Sequence, residues 1–115
     1  MLVRNRTRGT ILARTVLTLS SRFQKTLTAI NRRGVPAGFA IWIAPCNGIY
    51  TVGMGEPVDI AFLDREGRIV KMLRNFPPDC FTDSAPNAVS AIKLPSNMLK
   101  ISDSRAGDII EIDPD

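Results

Sequence analysis

VDIAFLDREGRIVKML (Val58–Leu73) decides how this chain is read. Val58 to Leu63 is a β-branched and apolar run carrying one charge, Asp59, and Arg68 to Leu73 is a second such run. Between them, Asp64-Arg65-Glu66-Gly67 places Asp at the first and Gly at the fourth position of a type I turn. Two strand-forming runs joined by such a turn predict an antiparallel hairpin turning at Arg65-Glu66, with Ile60 and Phe62 buried.

Working outward, Phe39 to Ile43 is a five-residue apolar run that suits a buried strand, and Ile49 to Val52 is a shorter one. Upstream, Thr10 to Leu19 is rich in Thr, Val, Ile and Leu, as a strand would be. Ser20 or Ser21 offers an N-cap, and Phe23, Leu27 and Ile30 recur at helical spacing, so a short amphipathic helix is expected over Ser21–Asn31. Gly34 and Pro36 end it. Downstream, Pro77 and Pro78 remove ladder donors and close the hairpin. Ala88 to Leu94 alternates as a strand, Pro95 to Ile101 suits one helical turn, and Asp108 to Ile112 is a closing strand. The fold class expected is mainly β: a small antiparallel sandwich or partly open barrel of about six or seven short strands with one short helix. Residues 1–9, polar and charged, are expected to be a flexible basic tail, with residues 10–115 forming a single globular domain.

With 115 residues and 44% apolar side chains, the chain is long enough for a core without staples. No stretch approaches the roughly 18 uninterrupted apolar residues of a membrane span. The N-terminus begins like a signal peptide, but Arg14 and several threonines interrupt its apolar part. A cytoplasmic protein is expected, unless a longer precursor was trimmed. Cys46 and Cys80 are too few for a disulfide scaffold and read as two reduced thiols, with one disulfide as the alternative.

Charge is unevenly placed. The first 55 residues hold eight bases and no acid, and the rest hold all 11 acids against seven bases, so the halves carry +8 and −4. A basic front suits an anionic partner. The plainer reading is that the two halves face each other across the folded surface. One Trp and one Tyr give no base-stacking platform, so nucleic acid is not the expected partner.

The absence of histidine removes Ser-His-Asp and Cys-His catalysis and His-based metal sites. No phosphate-binding glycine loop is present, and neither a metal nor a cofactor is expected. Cys46 is the one plausible nucleophile, which needs a nearby positive charge to populate its thiolate. Asp59, an acid in an apolar strand, needs a backbone amide, an Arg or a ligand as partner. Asp64 has the simpler task of capping the turn.

The segment from Pro45-Cys46 through Ile49-Tyr50-Thr51, Met54, Pro57-Val58-Asp59 and Phe62-Leu63-Asp64 to Gly67-Arg68 resembles the bacterial family known as domain of unknown function 192. Flanking similarity runs from about Leu12 to Ile112, including Ala91 to Pro95 and a Gly107-Asp108 turn. The resemblance implies a β-rich fold without an established activity. It also implies a polar cluster near the motif, of which this chain keeps Cys46, Thr51, Met54 and Asp59. Tyr50 stands where the family has His, and Gly55 where it has a basic residue.

Together these readings make Cys46, Tyr50, Thr51, Met54 and Asp59 the candidate ligand-binding residues, with no catalytic residue assigned. The expected function is a non-catalytic binding or interaction module using the loop 45–57, whose glycines at 48, 53 and 55 permit close backbone approach. Its partner would be a small ligand or another protein. The alternatives are a small enzyme using Cys46 or Asp59, and a weak anion or nucleic-acid binder through the basic N-terminal half.

Overall fold

The computed structural model describes residues 2–18, 33–49, 51 and 55–113. The helix expected over Ser21–Asn31, and the candidate residues Tyr50 and Met54, lie outside the described residues. The described chain is mainly β. Its strands are β1 (Leu2–Asn5), β2 (Thr10–Ala13), β3 (Thr15–Thr18), β4 (Phe39–Ile43), β5 (Val58–Leu63), β6 (Ile69–Phe76), β7 (Ser90–Pro95) and β8 (Ile110–Asp113). One short helix, α1 (Met98–Ile101), follows β7.

The strands form two sheets, β2-β1-β8 and β3-β4-β7-β5-β6. Side-chain alternation gives each strand of the larger sheet two faces. Ile41, Ile60, Phe62 and Ala91 face one way, under Val35, Ile49, Ala85 and Ala88 from the connecting segments. Ala40, Ala61, Leu63, Ile92 and Leu94 face the other, against Val3, Leu12 and Ile110 of the smaller sheet and Leu99 of α1. Among the described residues the result is an open sandwich, with a second sheet on one face and connecting segments on the other. Phe62 is 0% exposed, and burying a side chain of its size contributes about 1.5–3 kcal/mol.

The central hairpin forms as its sequence dictates. β5 and β6 pair antiparallel, and the Asp64 carbonyl accepts the Gly67 N–H at 3.0 Å. The Asp64 Oδ1 accepts the N–H groups of Glu66 and Arg68, both at 2.9 Å. Gly67 sits at φ 83, and a Cβ there would come 2.5 Å from the Ile110 carbonyl oxygen, so only glycine fits. β6 runs to Phe76, three residues past the expected end, and stops at the two prolines.

Three expectations are corrected. Residues 2–9 are no tail: β1 is the middle strand of the smaller sheet, with Val3 and Asn5 0% exposed. Its arginines suggest a solvated segment, but they sit on the outward positions of a paired strand and turn. The run from Thr10 is broken at Arg14, where the N–H groups of Arg14 and Thr15 both donate to the Gly38 carbonyl. That break moves the chain from one sheet to the other, and β3 then pairs with β4 in parallel rather than antiparallel. Ile49 and Thr51 form no strand of a sheet; their backbones bond instead to the segment 79–82, through Thr51 N–H to Cys80 O and Thr82 N–H to Ile49 O, both 2.9 Å. No helix among the described residues is long and apolar enough to cross a membrane.

Candidate functional site at the root of the loop 45–57

The loop leaves β4 through a cis Ala44–Pro45 bond and is anchored at once, the Cys46 N–H donating to Val89 O at 2.9 Å. The Cys46 thiol donates to the Gly48 carbonyl at 3.1 Å and its side chain packs against the Phe62 core. Farther along, Ala85 N–H bonds to Asn47 O at 2.8 Å, and the Thr82 hydroxyl accepts the Ile49 N–H at 2.9 Å. Thr51 is buried. Its hydroxyl lies 2.9 Å from Pro77 O and 3.1 Å from Cys80 O, and accepts the Cys80 N–H at 3.0 Å. Thr51 therefore pins the loop to the chain that follows β6. Cys46 and Cys80 are both free thiols, half-buried. At the anchored end, Pro45, Cys46 and Asn47 with Ala88 and Val89 line a depression of about 400 Å³.

Asp59 does not reach this depression. It is 0% exposed and lies on the opposite face of β5 from Ile60 and Phe62, so the sheet separates it from Cys46. Its Oδ1 accepts the Asn75 N–H and its Oδ2 the Leu99 N–H, each at 2.9 Å. Asn97, the N-cap of α1, sits at φ 75 and makes no side-chain cap bond. The β5 carboxylate takes over that task from another strand, and also holds Asn75, itself at φ 50, at the end of β6. The partner that the sequence demanded for Asp59 is thus a pair of backbone amides.

One residue that sequence reasoning passed over stands on the Cys46 side. Lys93 is in β7, the middle strand of the larger sheet, opposite Ile41 on β4 and Ile60 on β5. It is 9% exposed and shares the parity of Ala91, which faces the Phe62 core. Burial pushes its ammonium below the ordinary lysine value, and the nearby Cys46 opposes that shift. A buried amine on the same face of the sheet as a thiol brings together groups that bind anions or act as nucleophiles. The signal was present in Ala91-Ile92-Lys93-Leu94, where a lysine occupies a core-facing position of an alternating run.

A second buried ion serves the fold. Asp108 accepts hydrogen bonds from Asn5 Nδ2 and the Arg105 N–H at 2.9 Å and from Arg8 Nε at 3.0 Å. Burial alone would raise its pKa, but the bonds from Asn5, Arg8 and Arg105 outweigh burial and hold it below the usual carboxylate range. Arg4 pairs with Asp113 at 2.8 Å. At Arg4 and Arg8, then, the basic front of the chain faces its acidic end.

No family profile and no curated protein sequence matches the chain. Two solved structures are similar to it. One is a protein of unknown function from Novosphingobium aromaticivorans DSM 12444, with a TM-score of 0.70 and 16% identity, covering 96% of this chain and 82% of that one. The other, from Sinorhizobium meliloti 1021, is described as a candidate transcription regulator; its TM-score is 0.72 at 16% identity, over 96% of this chain and 89% of that one. At this identity the likeness shows the fold alone.

Proposed function

We propose that this chain is a non-catalytic binding module, a divergent relative of domain of unknown function 192, that takes its ligand or partner at the Cys46 end of the loop 45–57. The observation that carries this reading is the depression lined by Pro45, Cys46 and Asn47, on the face of the sheet that also holds Lys93. The loop root is fixed by backbone bonds to the segment 79–85, so the surface is preorganised and binding costs little ordering. A desolvated amine favours an anionic group, carboxylate or phosphate, on the ligand. An enzyme built on Asp59 finds less support, because backbone amides occupy both of its oxygens. A nucleic-acid reading draws on the description of the Sinorhizobium protein, but Arg4 and Arg8 of this chain are engaged by its own carboxylates.

The test is a titration with benzoate and with inorganic phosphate, followed by amide chemical shifts. Saturable shifts at Cys46, Asn47, Ala88 and Val89 are expected, and they should vanish in Lys93→Met. Shifts that persist in that variant, or none with either anion, overturn the anionic reading. Binding of duplex DNA with a steep salt dependence would favour the nucleic-acid reading instead.

A further inference from the structure

Asn47 and Gly48 stand in the wall of the loop root, both exposed, and the chain bends at Asn47. They are the chain's single Asn-Gly pair; every other asparagine precedes Arg, Phe, Ala or Met. The difference is chemical. The side-chain carbonyl carbon of an asparagine is open to attack by the main-chain nitrogen of the next residue, and a side chain on that residue obstructs the approach. Glycine has none.

Three features of the fold leave this attack open. The Gly48 N–H bonds to no described residue, so no described acceptor holds its nitrogen. Space is free around it: beyond the chain neighbours, a Cβ built at Gly48 would meet only Thr82 Oγ1 among the described residues, at 3.8 Å. The Asn47 side chain is exposed, and no described residue bonds its amide. The main chain on either side is fixed, by contrast. The Cys46 N–H donates to Val89 O and the Ala85 N–H to Asn47 O before the pair, and the Ile49 N–H donates to the Thr82 hydroxyl after it.

We propose that Asn47-Gly48 is a self-modification site, at which deamidation releases the anchored root of the loop. The Gly48 nitrogen, having given its proton to solvent, attacks Asn47 Cγ. A new N–Cγ bond forms, the Cγ–Nδ2 bond breaks, and Nδ2 takes up a proton and leaves as ammonia. Water then opens the five-membered imide. Opening at Cγ leaves aspartate, and opening at the main-chain carbonyl leaves isoaspartate, whose main chain runs through Cβ and Cγ. Either product adds one negative charge to the wall that Asn47 shares with Cys46 and Val89. Isoaspartate also lengthens the main chain by one carbon, about 1.5 Å of bond, between anchors set for the shorter path. Repulsion of an anion by the new carboxylate rests on the anionic reading of the depression; the reaction and the loss of the anchors do not. Benzoate and phosphate can fail to bind while Asn47 still reacts.

The experiment is incubation of the folded chain in mildly alkaline buffer. It is followed by the side-chain amide signals of its asparagines and by methylation with an isoaspartyl methyltransferase. The Asn47 amide signals should disappear first, isoaspartate should accumulate at that position, and the rate should rise with pH, because the attacking nitrogen must lose its proton. Asn47→Gln should abolish the product, since the ring would need six members, and Gly48→Ala should slow it. In the isoaspartate form, hydrogen exchange should quicken at the N–H groups of Ile49 and Ala85. An Asn47 amide that stays intact over a time sufficient to convert the urea-unfolded chain overturns the proposal, as does conversion of Asn87 at the same rate. Equal exchange at Ile49 and Ala85 in the reacted and unreacted chains would overturn the release of the loop root.

Discussion

Asp59 and Lys93 sit on neighbouring strands one register step apart, Asp59 opposite Leu94 and Lys93 opposite Ile60. Each is a charge in an otherwise apolar strand, at 0% and 9% exposure. Yet they face opposite sides of the same sheet and live under different rules. Asp59 looks into the core shared with the smaller sheet, where two backbone amides meet it at 2.9 Å. Lys93 looks toward the Phe62 core and the loop root, where burial works against its charge. Both stand between apolar neighbours, but a charge with its lone pairs bound by backbone supports the fold. A charge whose ionised form burial disfavours, on the face of the sheet that Cys46 shares, is a candidate for work on a ligand.

The largest way to disturb this contrast is to strip the cover from the Asp59 face. Deleting residues 1–9 removes β1, leaving β2 and β8 without the strand that joins them. Cooperative thermal unfolding should be lost. A midpoint within a few degrees of the full chain would show that the smaller sheet adds nothing to the stability of the larger.

Asp108 is the ion against which Asp59 is best compared, because both are buried carboxylates with backbone partners. Asp108→Asn should cost about 2–4 kcal/mol at neutral pH, since it deprives Asn5, Arg8 and the Arg105 amide of a charged acceptor. The folded pKa of Asp108 lies below its ordinary 3.8, so the folded state favours the ionised form. Its contribution is therefore present above the unfolded value and is lost as pH falls through the folded one. Urea unfolding of wild type and variant should converge below about pH 4. A gap that stays constant into acid would mean that shape, not charge, is what Asn lacks.

Asp59→Asn should cost less, about 1–3 kcal/mol, because one amide keeps an acceptor while the other meets an N–H. Hydrogen exchange separates this from general loosening: protection should fall first at Leu99 and Asn75. Unchanged protection at both would remove the case for a capping carboxylate.

The hairpin was legible because its signals are local: alternation, one turn and two prolines within 21 residues. Asp59 was legible as an acid in need of a partner, though not as one cut off from Cys46, because that depends on which face the loop covers. β1 was not legible, since the partners that hold Arg4 and Arg8 lie 109 and 100 positions away. A strand whose pairing is that distant looks, from within, like a charged tail. The parallel pairing of β3 with β4 was hidden for the same reason. Lys93 was hidden differently: alternation was plain in its strand, but burial comes from β4 and β5 on either side, which only the sheet order reveals.

Lys93→Met is the smallest expected effect and the sharpest test of the contrast. Met keeps the length and apolar stem of Lys and removes the charge, so packing changes little. The folded pKa of Lys93 is lowered from 10.5, so folding penalises its charged form at every pH below that value. Removing the charge should therefore leave stability unchanged or raise it by about 1–2 kcal/mol at neutral pH. Any gain should shrink as pH rises toward the unfolded lysine value, because the wild-type penalty disappears there. A loss of more than about 1 kcal/mol would place Lys93 with Asp59, as a charge whose bonds the fold needs, and the distinction between the two faces would fail. Stability kept while anion-induced shifts at Cys46 and Asn47 vanish would show the reverse: a charge that the fold tolerates and the ligand requires.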